Sequence, residues 1–233
     1  MEVIILAGGL GSRLSSVIKG VPKCMAPVAG KPFLWYLLKY LTRYDVTRVM
    51  LSVGYLREVI FEWIDQVKEK FPFEFDYAIE EKPLGTGGGI KLALSKAKTE
   101  NVIILNGDTF FDVDLKYLYF SHTKSGKPIT LALKMMFDFD RYGSVTISPD
   151  CSIKAFNEKK HCDKGLINGG VYVVNAKYYL FQVLHKKFSF ETAVLEPQCN
   201  LGNLFGVVQN GYFIDIGIPQ DYCRAEIELP ELI

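Results

Sequence analysis

The chain has 233 residues, with 27 Lys plus Arg against 26 Asp plus Glu and a formal net charge of +1. That length suits one compact domain and is short for three, and a composition 49% hydrophobic and 13% aromatic supplies a core and excludes a disordered chain. The charge balance excludes a DNA-packing protein, which needs a basic excess to neutralise phosphates.

Five cysteines (Cys24, Cys151, Cys162, Cys199 and Cys223) form an odd set without C-x-x-C spacing. They read as reduced thiols of a cytoplasmic protein rather than as a disulfide framework or a zinc site. No apolar run reaches the ~18 residues that a bilayer requires. The opening Met-Glu-Val-Ile-Ile-Leu-Ala has no basic leader, so the first strand of the fold is expected there.

Val3 to Ala7 is a continuous apolar run, the pattern of a strand covered on both faces. Gly8-Gly9-Leu10-Gly11-Ser12 ends it. Phe33, Leu34, Leu37, Leu38 and Leu41, after Pro32, predict a helix from Phe33 to Tyr44. Arg48 to Val53 reads as a strand, and Leu56, Val59, Ile60, Trp63, Ile64 and Val67 form the stripe of an amphipathic helix. Phe73 to Ile79 reads as a strand, Gly89 to Ala97 as a helix and Val102 to Leu105 as a buried strand, with Asp112 and Asp114 placed to cap the next helix. Ile129 to Met135, Ser144 to Ile147, Val171 to Asn175, Phe205 to Val208 and Tyr212 to Ile216 read as further strands, some in hairpins. The alternation predicts an α/β fold, a three-layer αβα sandwich on a Rossmann-like, mixed but mainly parallel sheet, with ligands at the carboxyl ends of its strands. Residues 1–233 are expected to form one domain.

Charge is unevenly placed. From Val3 to Tyr44 there is no acid but six bases: Arg13, Lys19, Lys23, Lys31, Lys39 and Arg43. This suggests an anion site or, alternatively, a solvated basic face. Within that stretch, closely spaced glycines in Gly8-Gly9-Leu10-Gly11-Ser12-Arg13-Leu14 let backbone N–H groups surround phosphate oxygens. No Gly-Lys-Ser/Thr follows, so the loop is not a Walker A motif. Leu14 stands where a dinucleotide fingerprint needs a third glycine, and no acid appears before Asp45.

The loop continues into Val21-Pro22-Lys23-Cys24-Met25-Ala26-Pro27-Val28-Ala29-Gly30-Lys31-Pro32. Gly-Gly-x-Gly-x-Arg-Leu followed by Pro-Lys-x-Met-x-Pro-Val-x-Gly-Lys-Pro resembles the signature of the sugar-1-phosphate nucleotidylyltransferases. Further segments fall in that family's order: Pro83-Leu84-Gly85-Thr86-Gly87-Gly88, Asn106-Gly107-Asp108, Phe156-Asn157-Glu158-Lys159, Asn168-Gly169-Gly170 and Asp215-Ile216-Gly217. Leu105 to Phe111, Phe139 to Gly143 and Leu166 to Gly170 carry a narrower similarity to members using GTP and a heptose 1-phosphate.

The resemblance implies the GT-A-like nucleotidyltransferase form of the sandwich, with nucleotide held by residues 1–115 and sugar phosphate by 116–233. The sugar phosphate attacks the α-phosphorus of a nucleoside triphosphate and pyrophosphate leaves. A phosphate monoester, with its second pKa near ~6, is already a nucleophile at neutral pH, so positioning and charge neutralisation carry the reaction.

By the same resemblance Arg13 grips the β and γ phosphates, Lys23 meets the triphosphate and Asp108 completes the catalytic group. Leu6, Ala7, Gly8, Gly9, Gly11, Ser12, Glu80, Gly85, Thr86 and Asn106 join Arg13 and Lys23 on the nucleotide. Lys31 serves either there or only at a helix start. Asp108 and Asp215, two carboxylates with phosphate oxygens and water, suit Mg²⁺ as cofactor. Glu80 can accept both N1–H and the exocyclic amine of guanine, or be only a solvated strand-end charge. Glycines around Gly85 would let the base lie on backbone. Tyr142, Gly143, Glu158, Lys159, Asn168 and Gly169 are implied for the sugar phosphate. Lys160 stands where the family often has proline, which leaves the choice of phosphate lysine open.

A uridylyl or thymidylyl transferase for a hexose or amino sugar, and a non-catalytic nucleotide-sugar-binding protein, remain as alternatives. A dinucleotide-dependent oxidoreductase lies further off. The expected partners are the NTP and sugar 1-phosphate, with no nucleic acid or membrane. Assembly is left open between a monomer and a homodimer. No appended β-helix is expected after the Asp215 segment, and no catalytic role falls to His122, His161 or His185.

Overall fold

Successive residues of a strand point to opposite faces, and in the first strand Val3, Ile4 and Ile5 are all fully buried. A strand apolar on both faces needs a layer over each, and two helical layers supply them. The computed structural model describes residues 1–9 and 20–233. Its first half runs β1 (Glu2–Leu6), a 3₁₀ turn (Lys23–Met25), the small hairpin β2 (Pro27–Val28) and β3 (Lys31–Pro32), α1 (Phe33–Leu41), β4 (Arg48–Val53), α2 (Arg57–Val67) and β5 (Glu74–Ile79). Then come α3 (Gly85–Leu94), β6 (Asn101–Asn106), β7 (Thr109–Phe111) and α4 (Leu115–Ser125). The second half holds β8 (Ile129–Phe139), β9 (Gly143–Ile147), β10 (Ile153–Lys159), β11 (Cys162–Asn175), α5 (Ala176–Leu180), a π-helical turn (Glu191–Leu195), α6 (Glu196–Asn200), β12 (Leu204–Gln209), β13 (Phe213–Asp215) and α7 (Pro219–Leu232).

β1 lies between β4 and β6, parallel to both, with β5 parallel to β4 outside it. Beyond β6 the direction reverses at β11, which is antiparallel to β6 and to β8, and β12 runs parallel to β8. β9 and β10 pair antiparallel and join the same sheet through β9 to β11. Val3, Ile5 and Leu51 face a core closed by Leu34 and Leu37 of α1, Ile60 and Ile64 of α2, Leu118 of α4 and Ala225 and Leu229 of α7. Ile4, Met50 and Ile104 face the other core, closed by Ile90 and Leu94 of α3 and Tyr179 of α5. This is the expected αβα sandwich on a mixed sheet. Among the described residues no helix is long and apolar enough to cross a membrane.

The structure corrects several expected elements. α3 starts at Gly85 rather than Gly89, because its glycines serve packing: a Cβ on Gly87 would overlap the Phe188 ring. α1 ends at Leu41, where the chain turns toward β4. β8 and β11 pair from Cys162↔Phe139 onward, so a mutual ladder carries polar Lys164 and Asp138 beyond the apolar stretches that sequence marked. β7 and β10, short or polar, were not expected. Asp114 caps α4, its side chain accepting from the Tyr117 N–H at 3.0 Å, whereas Asp112 pairs with Arg43 at 3.3 Å.

At the amino edge of the parallel strands, buried Arg48 of β4 pairs with Glu2 of β1 and Asp76 of β5. Glu2 is only 2% exposed, and it also accepts from the N–H groups of Lys98 and Thr99. An arginine lost from such a pair leaves a buried, uncompensated carboxylate, so Arg48→Leu is expected to lower stability by about 3–5 kcal/mol in urea unfolding. A Glu2→Gln/Arg48→Met double variant should regain most of that loss; equal destabilisation in both would refute the account.

Candidate active site

The parallel strands end side by side, β1 at Leu6, β4 at Val53, β5 at Ile79 and β6 at Asn106. β1 is the strand at which chain order reverses, since β4 and β5 add on one flank before β6 adds on the other, and such a reversal opens a crevice. A cavity of about 750 Å³ occupies it. Leu6, Ala7, Gly8, Gly9, Lys23, Glu80, Gly85, Thr86, Asn106 and Asp108 all line this cavity. The expected contributions of Gly11, Ser12 and Arg13 lie outside the described residues.

Backbone pairing fixes the floor. The Ala7 N–H donates to the Ser52 carbonyl at 2.8 Å, and the Gly107 N–H donates to the Leu6 carbonyl at 3.1 Å. These two groups tie β1 to its neighbours.

The charged centre is assembled by a second, smaller pairing. β6 passes through the turn Gly107-Asp108 into β7, which pairs antiparallel with β13, Asp215 opposite Thr109. The Ile216 N–H donates to the Asp108 carbonyl at 3.0 Å, which brings Asp108 and Asp215 together from opposite halves of the chain. Between their carboxylates sits the Lys23 ammonium, 2.5 Å from Asp108 Oδ2 and 3.7 Å from Asp215 Oδ1. Burial, then the neighbouring Asp108 charge, pushes the Asp215 carboxyl above the ordinary carboxylate range. Next to Lys23, the buried Cys24 thiol donates to the Ala7 carbonyl at 3.8 Å, and burial pushes its pKa up to about 12. It is a neutral thiol and no nucleophile.

Glu80 follows β5 directly and is half-buried. One carboxylate oxygen accepts from the Leu84 N–H at 2.9 Å and the other from the Ser52 hydroxyl at 3.4 Å. A Cβ on Gly89 would stand 2.7 Å from Glu80 Oε1, so glycine there makes room for the carboxylate. Gly85 to Gly87, whose glycines are expected to let the base lie against backbone, open α3, and Gly85 and Thr86 line the cavity. Thr86 Oγ1 donates to Glu191 and accepts from the Phe190 N–H.

From the second half, Tyr142 packs on Phe213 and its phenol is pushed up by burial and by Asp215. Asn168 Nδ2 donates to the Tyr172 hydroxyl at 2.9 Å, and Gly169 lies against the Phe111 ring of β7. Gly143 pairs with Lys159 in the β9–β10 ladder. Glu158 and Lys159 are exposed there, and neither lines the cavity. Lys31 stands over the Trp35 ring at 4.9 Å.

Sequence reading missed the contribution of the β4–α2 corner, where Ser52, Tyr55, Leu56, Arg57 and Glu58 line the cavity with Glu191. The position of the corner, after the strand next to β1, was the available signal.

A lysine between two aspartates at this edge of a doubly wound sheet is equipment for polyphosphate chemistry, and the whole chain agrees: it belongs to the nucleotidyl transferase family, whose model matches residues 2–231. Over 233 residues, the full length of both chains, it is 46% identical to the D-glycero-alpha-D-manno-heptose 1-phosphate guanylyltransferase of Aneurinibacillus thermoaerophilus. It is 45% identical over 223 residues, 95% of this chain and 97% of the relative, to the protein of that name from Campylobacter jejuni. A crystal structure of HddC from Yersinia pseudotuberculosis complexed with GMP-PN is similar in fold, with a TM-score of 0.85 at 38% identity over 100% of this chain and 99% of that one.

The raised Asp215 pKa has a consequence for stability. The folded chain holds this proton more tightly than the unfolded chain, so the charged form lowers stability at neutral pH. That penalty fades as pH falls through the raised folded value and is gone below the unfolded value of about 3.9. Asp215→Asn keeps an acceptor for the Gly217 N–H, which now donates to Asp215 Oδ1 at 2.7 Å. The variant is expected to melt above the wild type at neutral pH, with the gap narrowing toward about pH 4. Thermal scans across that range check it, and a variant that melts lower at neutral pH contradicts it.

Proposed function

We propose that the chain transfers the guanylyl group of GTP to D-glycero-α-D-manno-heptose 1-phosphate, giving the GDP-sugar and pyrophosphate, with Mg²⁺ as its cofactor. The observation that carries this reading is the Lys23, Asp108 and Asp215 cluster, whose Lys23 and Asp108 line the same cavity as Glu80. Full-length similarity to two guanylyltransferases named for that heptose phosphate supports the choice of substrates.

In the reaction an oxygen of the sugar phosphate forms a bond to the α-phosphorus, while the bond from that phosphorus to the bridging oxygen breaks. The electron pair leaves with pyrophosphate. The attacking phosphate needs no base at neutral pH, its second pKa being near ~6. Accordingly Cys24 is left protonated, and the protein's task is to hold two polyanions together. Lys23 meets the triphosphate, joined by Arg13 from the glycine loop. Glu80 keeps acceptor capacity beyond the Leu84 N–H, since an ionised carboxylate offers about four acceptor sites. It takes N1–H and the exocyclic amine of guanine. Adenine and cytosine place an acceptor where N1–H would be.

Backbone and side-chain groups of Leu6, Ala7, Gly8, Gly9, Gly11, Ser12, Gly85, Thr86 and Asn106 surround the nucleotide. Tyr142, Gly143, Asn168 and Gly169 shape the sugar side, with Glu158 and Lys159 on the neighbouring ladder.

Mg²⁺ fits the donor set. Asp108 and Asp215 offer carboxylate oxygens close enough to share one ammonium. No cluster of three or more His, Cys, Asp or Glu side chains that could hold a metal occurs among the described residues, which leaves the remaining positions to phosphate oxygens and water. When bound, the ion neutralises charge that develops on the phosphates.

A pyrophosphate-release screen of GTP, UTP, dTTP, CTP and ATP against a panel of sugar 1-phosphates tests the proposal. GTP with the heptose phosphate should turn over fastest; a strong preference for UTP or dTTP would favour a hexose or amino-sugar enzyme instead. Lys23→Met should lower kcat/KM by about 10²- to 10³-fold. Glu80→Gln presents an amide donor to guanine, and kcat/KM for GTP should fall roughly ten- to a hundredfold. Near-wild-type rates in either variant would remove the assigned role.

A further inference from the structure

Lys23 has two claims on it. The proposed reaction sends its ammonium to the triphosphate, while the structure places it on the carboxylates. It opens the 3₁₀ turn Lys23–Met25, fixed by the Met25 N–H donating to the Pro22 carbonyl at 2.8 Å and the Ala26 N–H to the Lys23 carbonyl at 3.1 Å. Its side chain is 15% exposed, and the ammonium is confined. A Cβ on Gly217 would lie 3.0 Å from Nζ and 2.8 Å from Asp215 Oδ1, so the chain passes this point as glycine.

Without this ammonium, the two carboxylates would repel across a half-buried cleft. With it, Asp108 Oδ2 is engaged at hydrogen-bond distance. A divalent cation taking the same oxygens would meet a unit positive charge within contact distance, in a place where burial weakens screening.

We propose that Lys23 is the resident counter-cation of the metal site. Its ammonium and a divalent cation exchange on Asp108 and Asp215, and the displaced ammonium becomes the one that reaches the triphosphate. This rests on the assignment of Asp108 and Asp215 to the metal. It makes the free protein a poor metal binder and ties metal affinity to nucleotide: the triphosphate gives the displaced lysine a new partner, so nucleotide and metal each raise the affinity for the other by the same factor.

The test is binding of Mn²⁺ to the full chain, read from the electron paramagnetic resonance signal of the free ion. In nucleotide-free protein, Lys23→Met and Lys23→Gln should bind Mn²⁺ at least about tenfold more tightly than the wild type, the ratio that about 1.4 kcal/mol represents. Adding Asp215→Asn to either variant should abolish the gain. Two neutral replacements guard against misfolding of one of them. If the wild type with a non-hydrolysable GTP analogue binds Mn²⁺ in a way that Asp108→Asn removes, yet neither lysine variant binds more tightly when nucleotide-free, the exchange is wrong and the metal assignment stands. If no form shows Mn²⁺ binding that depends on Asp108, both are overturned.

Discussion

Two carboxylates held together in a partly dry cleft repel, and each favours the protonated form of the other. The fold maintains that arrangement at Asp108 and Asp215 through backbone pairing that tolerates no slip: β7 against β13, with the Ile216 N–H on the Asp108 carbonyl. In strands a slip of one residue turns every side chain to the other face. Had β13 moved by one position, Asp215 would exchange places with the buried Ile214 or Ile216. The apolar neighbours therefore fix the register, and the register fixes the charges. Lys23, from a segment far away in sequence, supplies the positive charge that makes the pair tenable.

The same dependence explains what the sequence disclosed. β1, β4 and β6 carry apolar residues on both faces, and this alone announces a buried parallel strand. From three such strands with helical stripes between them, the sandwich and its crevice follow. Second-half strands were harder because β8 and β11 are held by each other. Where Lys164 pairs with Phe137, neither needs a helical layer above it, and the apolar pattern lapses while the ladder continues. Glycine-rich α3 was misjudged for a related reason. Gly87 and Gly88 fall before the helix expected from Gly89, yet the approach of residues 186–188 requires their missing side chains inside a helix. Which residues approach a helix from a distant segment is tertiary information, absent from local spacing.

Site residues were legible in proportion to how far their chemistry is local. Lys23 and Asp108 stand in dense motifs, and both line the cavity. Asp215 was readable only through resemblance, since Phe-Ile-Asp-Ile carries no chemical signal on its own; its value comes from β7. Tyr55 to Glu58 escaped notice because the β4–α2 corner has no motif at all. Its place beside the cavity follows only from β4 being the neighbour of β1.

Glu191 extends this point from positions to domains. Thr86 at the start of α3 reaches across to Glu191 and to the Phe190 N–H, so the wall of the crevice includes a turn from the second half. Asn168 and Gly169, also from that half, lie on Tyr172 and Phe111, and Phe111 belongs to the strand that follows Asp108. The crevice wall and the strands beside it are therefore built from both halves of the chain. The strand that follows Asp108 also packs against Gly169, so displacement of Gly169 would press on Phe111 and, through β7, on Asp108. Close packing leaves little slack to absorb such a shift. The packing therefore couples the position of Gly169 to that of the Lys23, Asp108 and Asp215 centre.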